Sequence, residues 1–233
     1  MINNQYIKAN LYCQLGIKGT GYLAFRDIPQ LIKKYTKGNL ALDFGCGTGR
    51  SSRFLKSLDL IIDAVDISQE MINKAYQIDQ SIPYSRIIEN KIPQKSNFYD
   101  LVFSSLVLFE ISSIDELLKI FKEVHRVLKY NGIFIIVTGS TEMYDHQWLS
   151  LDVNYKENKN LTSGALAKIR LKEVDLELYD YYWTDADYKN IITLSNFSLL
   201  EQLSPLGEPD DNYDWLSEKN VSPYIIYALQ KNY

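Results

Sequence analysis

The stretch “LDFGCGTGR”, from Leu42 to Arg50, decides how this chain folds. It places Gly45, Gly47 and Gly49 at alternate positions directly after an apolar run. Glycine adopts backbone conformations that side chains forbid, and it lets another molecule come close to the backbone. The stretch therefore predicts a tight turn at the end of a buried strand, with a ligand lying against the loop.

Strand-like and helix-like patterns alternate on both sides of this loop. Short apolar runs predict strands at 39–44, 60–67, 85–89, 99–110 (at least as far as Ser104) and 133–139. Amphipathic segments predict helices at 50–59, 68–78 and 114–129. Apolar strands separated by helices indicate a parallel sheet that is covered on both faces. Ligands bind such a sheet at the carboxyl ends of its strands, which is where the glycine loop lies.

The composition narrows the class of protein. The chain has 233 residues, 46% of them hydrophobic, a formal net charge of -4 and no run of lysine and arginine, which argues against nucleic acid as a partner. Its two cysteines and two histidines lack the spacing of a metal site, so no metal is expected. The N-terminal “MINNQYIKAN” lacks a signal-peptide pattern, and no apolar run reaches the length of a membrane span. We therefore expect a reduced, cytoplasmic protein with no membrane partner.

Charged residues near the loop indicate which ligand it binds. A dinucleotide site needs G-x-G-x-x-G, and here Arg50 takes the place of the last glycine. Asp43, just before the loop, would repel a pyrophosphate and attract a cation. Asp66 ends the next strand, where a carboxylate can accept both hydroxyls of a ribose. These residues favour S-adenosylmethionine (SAM), which carries a sulfonium, an ammonium and an adenosine.

Four stretches in order along residues 39–139 make this interpretation specific. They are “LALDFGCGTGR”, “AVDIS”, “IPQKSNFYDLVFSSLVLFEI” and “EVHRVLKYNGIFIIV”. They resemble the first motif, the second motif, the fourth-strand region, and the helix, turn and fifth strand of class I SAM-dependent methyltransferases of the small-molecule type. The resemblance implies an α/β fold with a doubly wound, seven-stranded sheet. That sheet would be mostly parallel, with an antiparallel last strand inserted beside the fifth.

The resemblance also implies roles for particular residues at the cofactor. Those expected to contact SAM, or its product S-adenosylhomocysteine (SAH), are Asp43, Gly45, Cys46 and Gly47 along the methionine part, Asp66 at the ribose, Ile67 on the adenine, Glu89 and Asn90 at the adenine amine, and Ser104 and Ser105 near the methyl group. N-terminal segments in this family often lie over SAM. Tyr22 or Arg26 would then bind the SAM carboxylate, the alternative being a surface helix.

Aromatic residues after position 140 are the candidates for binding the methyl acceptor. They are Tyr144, Tyr179, Tyr181 and Trp183, together with Phe109. Alternation in “ELYDYYW” would put Tyr179 and Tyr181 on one face of a strand, which either covers the site or packs on its own sheet. His146 is the only histidine placed to act as a general base, and the alternative is a solvated loop residue.

We expect one domain over residues 1–233. Its segments are an N-terminal helical segment (1–38), a SAM-binding core (39–140), an inserted substrate-side cap (141–184) with one or two strands, and a C-terminal part (185–233) with a helix at 185–196 and strands at 197–206 and 222–231. The predicted activity is methyl transfer from SAM to an oxygen or nitrogen of a small-molecule acceptor by in-line displacement. The alternatives are an RNA or protein acceptor, a SAM-binding module without turnover and, disfavoured by Arg50, a dinucleotide oxidoreductase.

Overall fold

The computed structural model describes residues 8–233, so residues 1–7 of the predicted N-terminal segment lie outside the described residues. The helices are residues 8–12, α1 (Ile28–Tyr35), α2 (Arg50–Lys56), α3 (Gln69–Ile78), α4 (Ile114–Val127) and α5 (Asp185–Leu194). The strands are β1 (Leu40–Phe44), β2 (Ile61–Asp66), β3 (Tyr84–Arg86), β4 (Tyr99–Ser105), β5 (Leu128–Gly139), β6 (Leu151–Asp152), β7 (Leu166–Leu171), β8 (Leu176–Tyr181), β9 (Phe197–Leu203) and β10 (Tyr224–Lys231). Short 3₁₀ turns occupy Gly19–Tyr22, Leu108–Glu110, Thr141–Tyr144, Lys156–Asn158, Pro209–Asp211 and Ser217–Lys219.

Seven strands form the main sheet, in the order β3-β2-β1-β4-β5-β10-β9. The pairs among the first five strands are parallel. β10 runs antiparallel to both of its neighbours, β5 and β9. The predicted fold class is therefore confirmed, including an antiparallel last strand beside the fifth. The chain order reverses between β1 and β4, and the loops that follow these two strands border a crevice there.

The sheet is covered on both faces, as its apolar strands predict. Ala41 of β1 packs in one apolar cluster with Ile28 and Leu55 of α1 and α2, and the adjacent Leu42 packs in the other cluster with α4 and α5. Successive residues of a strand point to opposite faces, so continuous apolar sequence gives two buried faces. No helix within residues 8–233 is both long enough and apolar enough to span a bilayer.

The start of β5 differs from its prediction. The helix predicted to reach residue 129 ends at Val127, and β5 begins at Leu128 rather than at residue 133. Leu128 pairs with Tyr99, and the register then shifts before Ile133 pairs with Leu101. Asn131 has a φ of 60°, so a bulge absorbs the turn inside the strand where the sequence pattern predicts a loop.

A second, three-stranded antiparallel sheet, β6-β7-β8, lies within residues 141–184. The buried carboxylate of Glu218 connects the segment that precedes β6 to residues near position 20. Glu218, fully buried, accepts hydrogen bonds from the Thr20 hydroxyl (2.6 Å) and from the backbone N–H of Leu149 (2.8 Å). Thr20 in turn accepts from the backbone N–H of Ser150 at 2.9 Å. We call these four residues the Glu218 clasp.

Candidate active site

A cavity of about 420 Å³ lies at the carboxyl ends of β1, β2 and β4. The glycine loop, the end of β2 and the segment after β4 form its floor and sides. Lys8 and Tyr12 from helical residues 8–12 line it as well, and so do residues of β7 and β8 such as Ile169 and Asp180. The second sheet and the N-terminal region therefore border the same space as the glycine loop.

The glycine loop has the backbone that its sequence predicts. Gly45, Gly47 and Gly49 all have positive φ, at 77°, 53° and 79°. A Cβ atom on Gly45 would lie 2.4 Å from Cγ2 of Val107, so only glycine fits between β1 and the segment after β4. A Cβ atom on Gly47 would meet no atom of the described residues within 4 Å, and Gly47 lines the cavity. Gly47 therefore requires glycine because of its positive φ, not because of a steric clash. The space that a Cβ atom would occupy at Gly47 is open to a ligand.

Asp66 faces the cavity at the end of β2. Its Oδ2 accepts a hydrogen bond from the backbone N–H of Gly47 (2.8 Å), and its Oδ1 accepts one from the backbone N–H of Ser68 (2.8 Å). Burial raises the pKa of Asp66, and these backbone donors oppose that rise. The carboxylate is therefore fixed in orientation next to the glycine loop.

Asp43 lies behind the loop instead of on the cavity wall. It is fully buried, and its Oδ2 accepts hydrogen bonds from the hydroxyls of Ser51 (2.7 Å) and Ser52 (2.5 Å). Its Oδ1 has no hydrogen-bond partner within residues 8–233. Burial raises the pKa of Asp43 to about 6. Its visible contacts hold the first turn of α2 against β1, which positions the loop between them.

The other residues predicted to contact the cofactor divide into two groups. Those on the cavity wall are Gly45, Cys46, Gly47, Ile67 and Asn90. Glu89, next to Asn90, is exposed and does not line the cavity. Of the two serines predicted to lie near the methyl group, Ser105 lines the cavity, whereas Ser104 is buried beneath its surface.

Arg50 lines the cavity, whereas Tyr22 and Arg26, which were predicted to bind the SAM carboxylate, do not. The guanidinium of Arg26 pairs with Asp27 (2.9 Å) and Asp211 (3.3 Å), and neither Tyr22 nor Arg26 lines the cavity. Arg26 therefore forms ion pairs with acidic residues that are adjacent in sequence or lie in the loop at 207–215. Arg50 does line the cavity, with its guanidinium 5.4 Å from the ring centre of Phe25 and donating to the carbonyl of Gly16 (3.2 Å).

The acceptor side differs from its prediction in one systematic way. The alternation in β8 is correct, but Leu178 and Asp180 face the cavity, whereas Tyr179 is 55% exposed and Tyr181 is absent from the wall. Tyr144 lies behind the wall, and its hydroxyl donates to Oδ2 of Asp180 (3.2 Å). Phe109 lines the cavity as predicted.

Two further predicted residues lie away from the cavity. Trp183 is buried against the segment after β4, with its indole N–H donating to the carbonyl of Ile111 (3.0 Å). His146 does not line the cavity, and its Nε2 lies 3.0 Å from Oε2 of the exposed Glu142. This position argues against His146 as the general base.

Arg50 and Asp180 lie on the cavity wall, although neither was predicted from the sequence to bind a ligand there. Arg50 directly follows the glycine loop, and that position was the available signal for it. Asp180 is 2% exposed. Burial, with a smaller contribution from Glu110, raises the pKa of Asp180 to about 7. A carboxylate between aromatic residues was its only sequence signal.

Known proteins resemble this chain in both sequence and fold. Residues 42–136 match the family model described as a methyltransferase domain. The chain is 31% identical to the uncharacterized protein MJ0638 of Methanocaldococcus jannaschii over 224 residues, which cover 94% of this chain and 92% of that protein. Over 124 residues it is 29% identical to malonyl-(acyl-carrier protein) O-methyltransferase of Buchnera aphidicola. That match covers 52% of this chain and spans about half (49%) of the relative's length.

A solved structure extends the likeness to almost the whole chain. The S-adenosylmethionine-dependent methyltransferase from Clostridium acetobutylicum is similar with a TM-score of 0.66 at 18% identity, over 91% of this chain and 92% of that one. At this identity the likeness shows the shared fold. The methyltransferase-domain match includes the glycine loop and the end of β2, the part of the cavity that the sequence motifs assign to the cofactor.

Proposed function

The chain belongs to the class I SAM-dependent methyltransferases, and we propose that it transfers the methyl group of SAM to an oxygen or nitrogen atom of a small-molecule acceptor. The observation that carries this proposal is the open outer side of Gly47 beside the fixed carboxylate of Asp66, inside one cavity. SAM supplies a methyl group on a positively charged sulfur, so an acceptor lone pair displaces SAH in line. The protein's main tasks are then to position the two molecules and to exclude water.

The residues present fit the cofactor along the length of the loop. We assign the close approach of the methionine part to Gly47 and the ribose hydroxyls to Asp66, whose two oxygens are held by backbone donors. Ile67 and Asn90 follow on the cavity wall for the adenine. Arg50 is the guanidinium that we assign to the SAM carboxylate, because a guanidinium can bind both carboxylate oxygens at once.

The acceptor half supports a small molecule rather than a macromolecule. Residues of helix 8–12, β7 and β8 line the same cavity as the glycine loop, and its volume of about 420 Å³ is suited to small molecules. Two cationic residues of the cavity already form ion pairs. Nζ of Lys8 lies 3.6 Å from Oε1 of Glu110, and Nζ of Lys18 lies 2.9 Å from Oε1 of Glu173. Paired lysines give little attraction to a phosphate backbone, so RNA is the weaker alternative.

Thermal unfolding with SAM, SAH and NAD tests the cofactor assignment. A ligand at about one hundred times its dissociation constant adds roughly 2.7 kcal/mol of stability, which for a chain of this size raises Tm by roughly 5–10 °C. We expect SAM and SAH to raise Tm, NAD to have no effect, and Asp66→Ala to lose the response. Asp210→Ala is the matched control, since Asp210 is exposed and lies outside the cavity. If neither SAM nor SAH raised the Tm of the wild type, the proposal would be refuted.

Turnover separates an enzyme from a binding module. SAM carrying a labelled methyl group is incubated with the chain and a panel of amines, phenols and carboxylic acids. Transfer of label to one class, with SAH formed in equal amount, supports catalysis. Binding of SAM without transfer to any of the three classes favours a binding module, and transfer to total RNA with a strong salt dependence would favour the macromolecular alternative.

A further inference from the structure

Asp180 lies on the cavity wall and forms no ion pair with any residue in the described range 8–233. Asp180, on β8, is 2% exposed, and within residues 8–233 the Tyr144 hydroxyl is the only side-chain donor bonded to it. A buried carboxylate ordinarily has a positively charged partner or several hydrogen bonds, because transfer of a bare charge from water is costly. Asp180 has neither, and it opens on the cavity instead.

Asp180 lies on the part of the cavity wall that the second sheet contributes, which we assign to the acceptor. β8 packs against the 3₁₀ turn Leu108–Glu110, which follows β4. The indole of Trp183 fixes this arrangement by its hydrogen bond to the carbonyl of Ile111. Ser105 and Phe109 of the same segment line the cavity beside it. The carboxylate is thus held next to the segment that follows β4, on the side of the cavity that the second sheet contributes.

The charges along the cavity leave this end negative. Lys8 is paired with Glu110 and Lys18 with Glu173. Arg50 is held against the ring of Phe25, next to the glycine loop. Among the described cavity residues, Asp180 is therefore the carboxylate left without a charge partner at the second sheet. A positively charged group on the incoming acceptor would supply that partner.

We propose that the methyl acceptor of this enzyme is an amine, whose ammonium form binds Asp180 and gives its proton to that carboxylate. This inference rests on the proposed function and adds the class of acceptor. The N–H bond of the ammonium breaks, and its proton moves to an oxygen of Asp180. The freed nitrogen lone pair then forms the bond to the methyl carbon, while the electron pair of the breaking carbon–sulfur bond stays on sulfur.

The surroundings of Asp180 suit it to proton transfer near neutral pH. Burial, and then the charge of Glu110, raise its pKa to about 7, whereas the Tyr144 hydrogen bond and Lys8 act in the opposite direction. The titratable groups that face it are Lys8 and Tyr12 on helix 8–12, Glu110 after β4, Tyr144 after β5, Tyr188 on α5 and Tyr224 on β10. Tyr144 is a positioning residue here, since it acts through Asp180.

A pair of matched probes tests the inference without knowledge of the natural acceptor. Benzylamine and benzyl alcohol have the same shape, and only the amine is a cation at neutral pH. The binding of each to the SAH-loaded protein is measured by saturation-transfer NMR for wild type, Asp180→Asn, Tyr144→Phe and the exposed control Asp210→Asn. SAH and SAM affinities are measured first for every variant. A loss of cofactor binding, which would contradict the proposed function, is then distinguished from a loss of amine binding alone.

We expect benzylamine to bind the wild type, and Asp180→Asn to weaken its binding at least tenfold while benzyl alcohol is unaffected. Wild-type affinity for the amine should fall roughly tenfold from pH 8 to pH 6, as the carboxylate takes up a proton. Tyr144→Phe should move that pH midpoint upward, because it removes a donor that favours the ionised carboxylate.

Three results would overturn the inference. The first is no binding of benzylamine at about 10 mM to wild type that binds SAH normally. The second is equal binding of the amine by wild type and Asp180→Asn. The third is a selective loss of SAM over SAH affinity in Asp180→Asn, which would mean that the carboxylate faces the cofactor's sulfonium and not the acceptor. A wild-type chain that binds neither SAM nor SAH would contradict the proposed function itself.

Discussion

The stability of the Asp180→Asn variant relative to wild type should increase as the pH rises. In the folded chain, burial raises the pKa of Asp180 to about 7, whereas an unfolded aspartate titrates near its ordinary value of 3.8. Between these two values the folded state holds a proton that the unfolded state has lost. Wild-type stability therefore falls as pH rises through this window, and the carboxylate's unfavourable contribution is complete above pH 7.

The size of the effect follows from the two pKa values. Each pH unit within the window is worth about 1.36 kcal/mol, so the carboxylate costs on the order of 4 kcal/mol at pH 8 and roughly 1.7 kcal/mol at pH 5. Asparagine does not titrate, so the difference in unfolding free energy between variant and wild type should grow by roughly 2.6 kcal/mol from pH 5 to pH 8. All other titrating groups cancel in this difference, provided that the substitution leaves their surroundings unchanged.

Urea unfolding at pH 5, 6, 7 and 8 measures this difference directly. The amide nitrogen of the asparagine lacks a partner, so an unfavourable constant can offset the whole curve, but the slope remains diagnostic. For the control Asp210→Asn, at an exposed position, the difference in unfolding free energy from wild type should stay constant from pH 5 to pH 8. Parallel curves for Asp180→Asn as well would show that Asp180 titrates normally and would refute the reasoning.

Further substitutions test the cofactor half. Gly45→Ala should destabilise the fold by about 2–3 kcal/mol in urea unfolding, since its φ is 77° and its Cβ would strike Val107. Gly47→Ala should cost only about 1 kcal/mol in the same assay, yet calorimetry should show SAH binding lost, because its methyl group points into open cavity. Arg50→Gln should weaken SAH binding roughly tenfold and leave methylthioadenosine, which lacks the amino-acid part, unaffected. His146→Ala should leave SAH affinity unchanged within about twofold, because His146 lies outside the cavity.

Local sequence carries most of the information about the cofactor half. Gly45, Gly47 and Asp66 fall within two short segments at the ends of adjacent strands, so the order of strands alone brings them together. The fold class follows from the same alternation of strands and helices. The bulge in β5 was not predictable, because the pattern around Asn131 is equally typical of a loop between helix and strand.

The acceptor half depends on contacts between segments far apart in sequence. Alternation in β8 defines two faces, but which face meets the cavity is decided by the packing of β8 on the turn Leu108–Glu110. Arg26 was assigned to the cofactor because an arginine near the N-terminus suits a carboxylate. Arg26 instead forms an ion pair with Asp211, 185 positions along the chain. No local sequence pattern predicts a contact between residues so far apart.

The Glu218 clasp also bears on the order in which the protein matures. It joins Thr20 to Glu218 across 198 positions, and Ser150, which it holds, lies on the cavity wall. During synthesis the chain emerges from its N-terminus, so the glycine loop can form long before Glu218 exists. The cavity wall at Ser150 can therefore be completed only after Glu218 has left the ribosome. A nascent chain that has not yet reached Glu218 would carry every cofactor motif and still lack the hydrogen bonds that hold this part of the cavity wall.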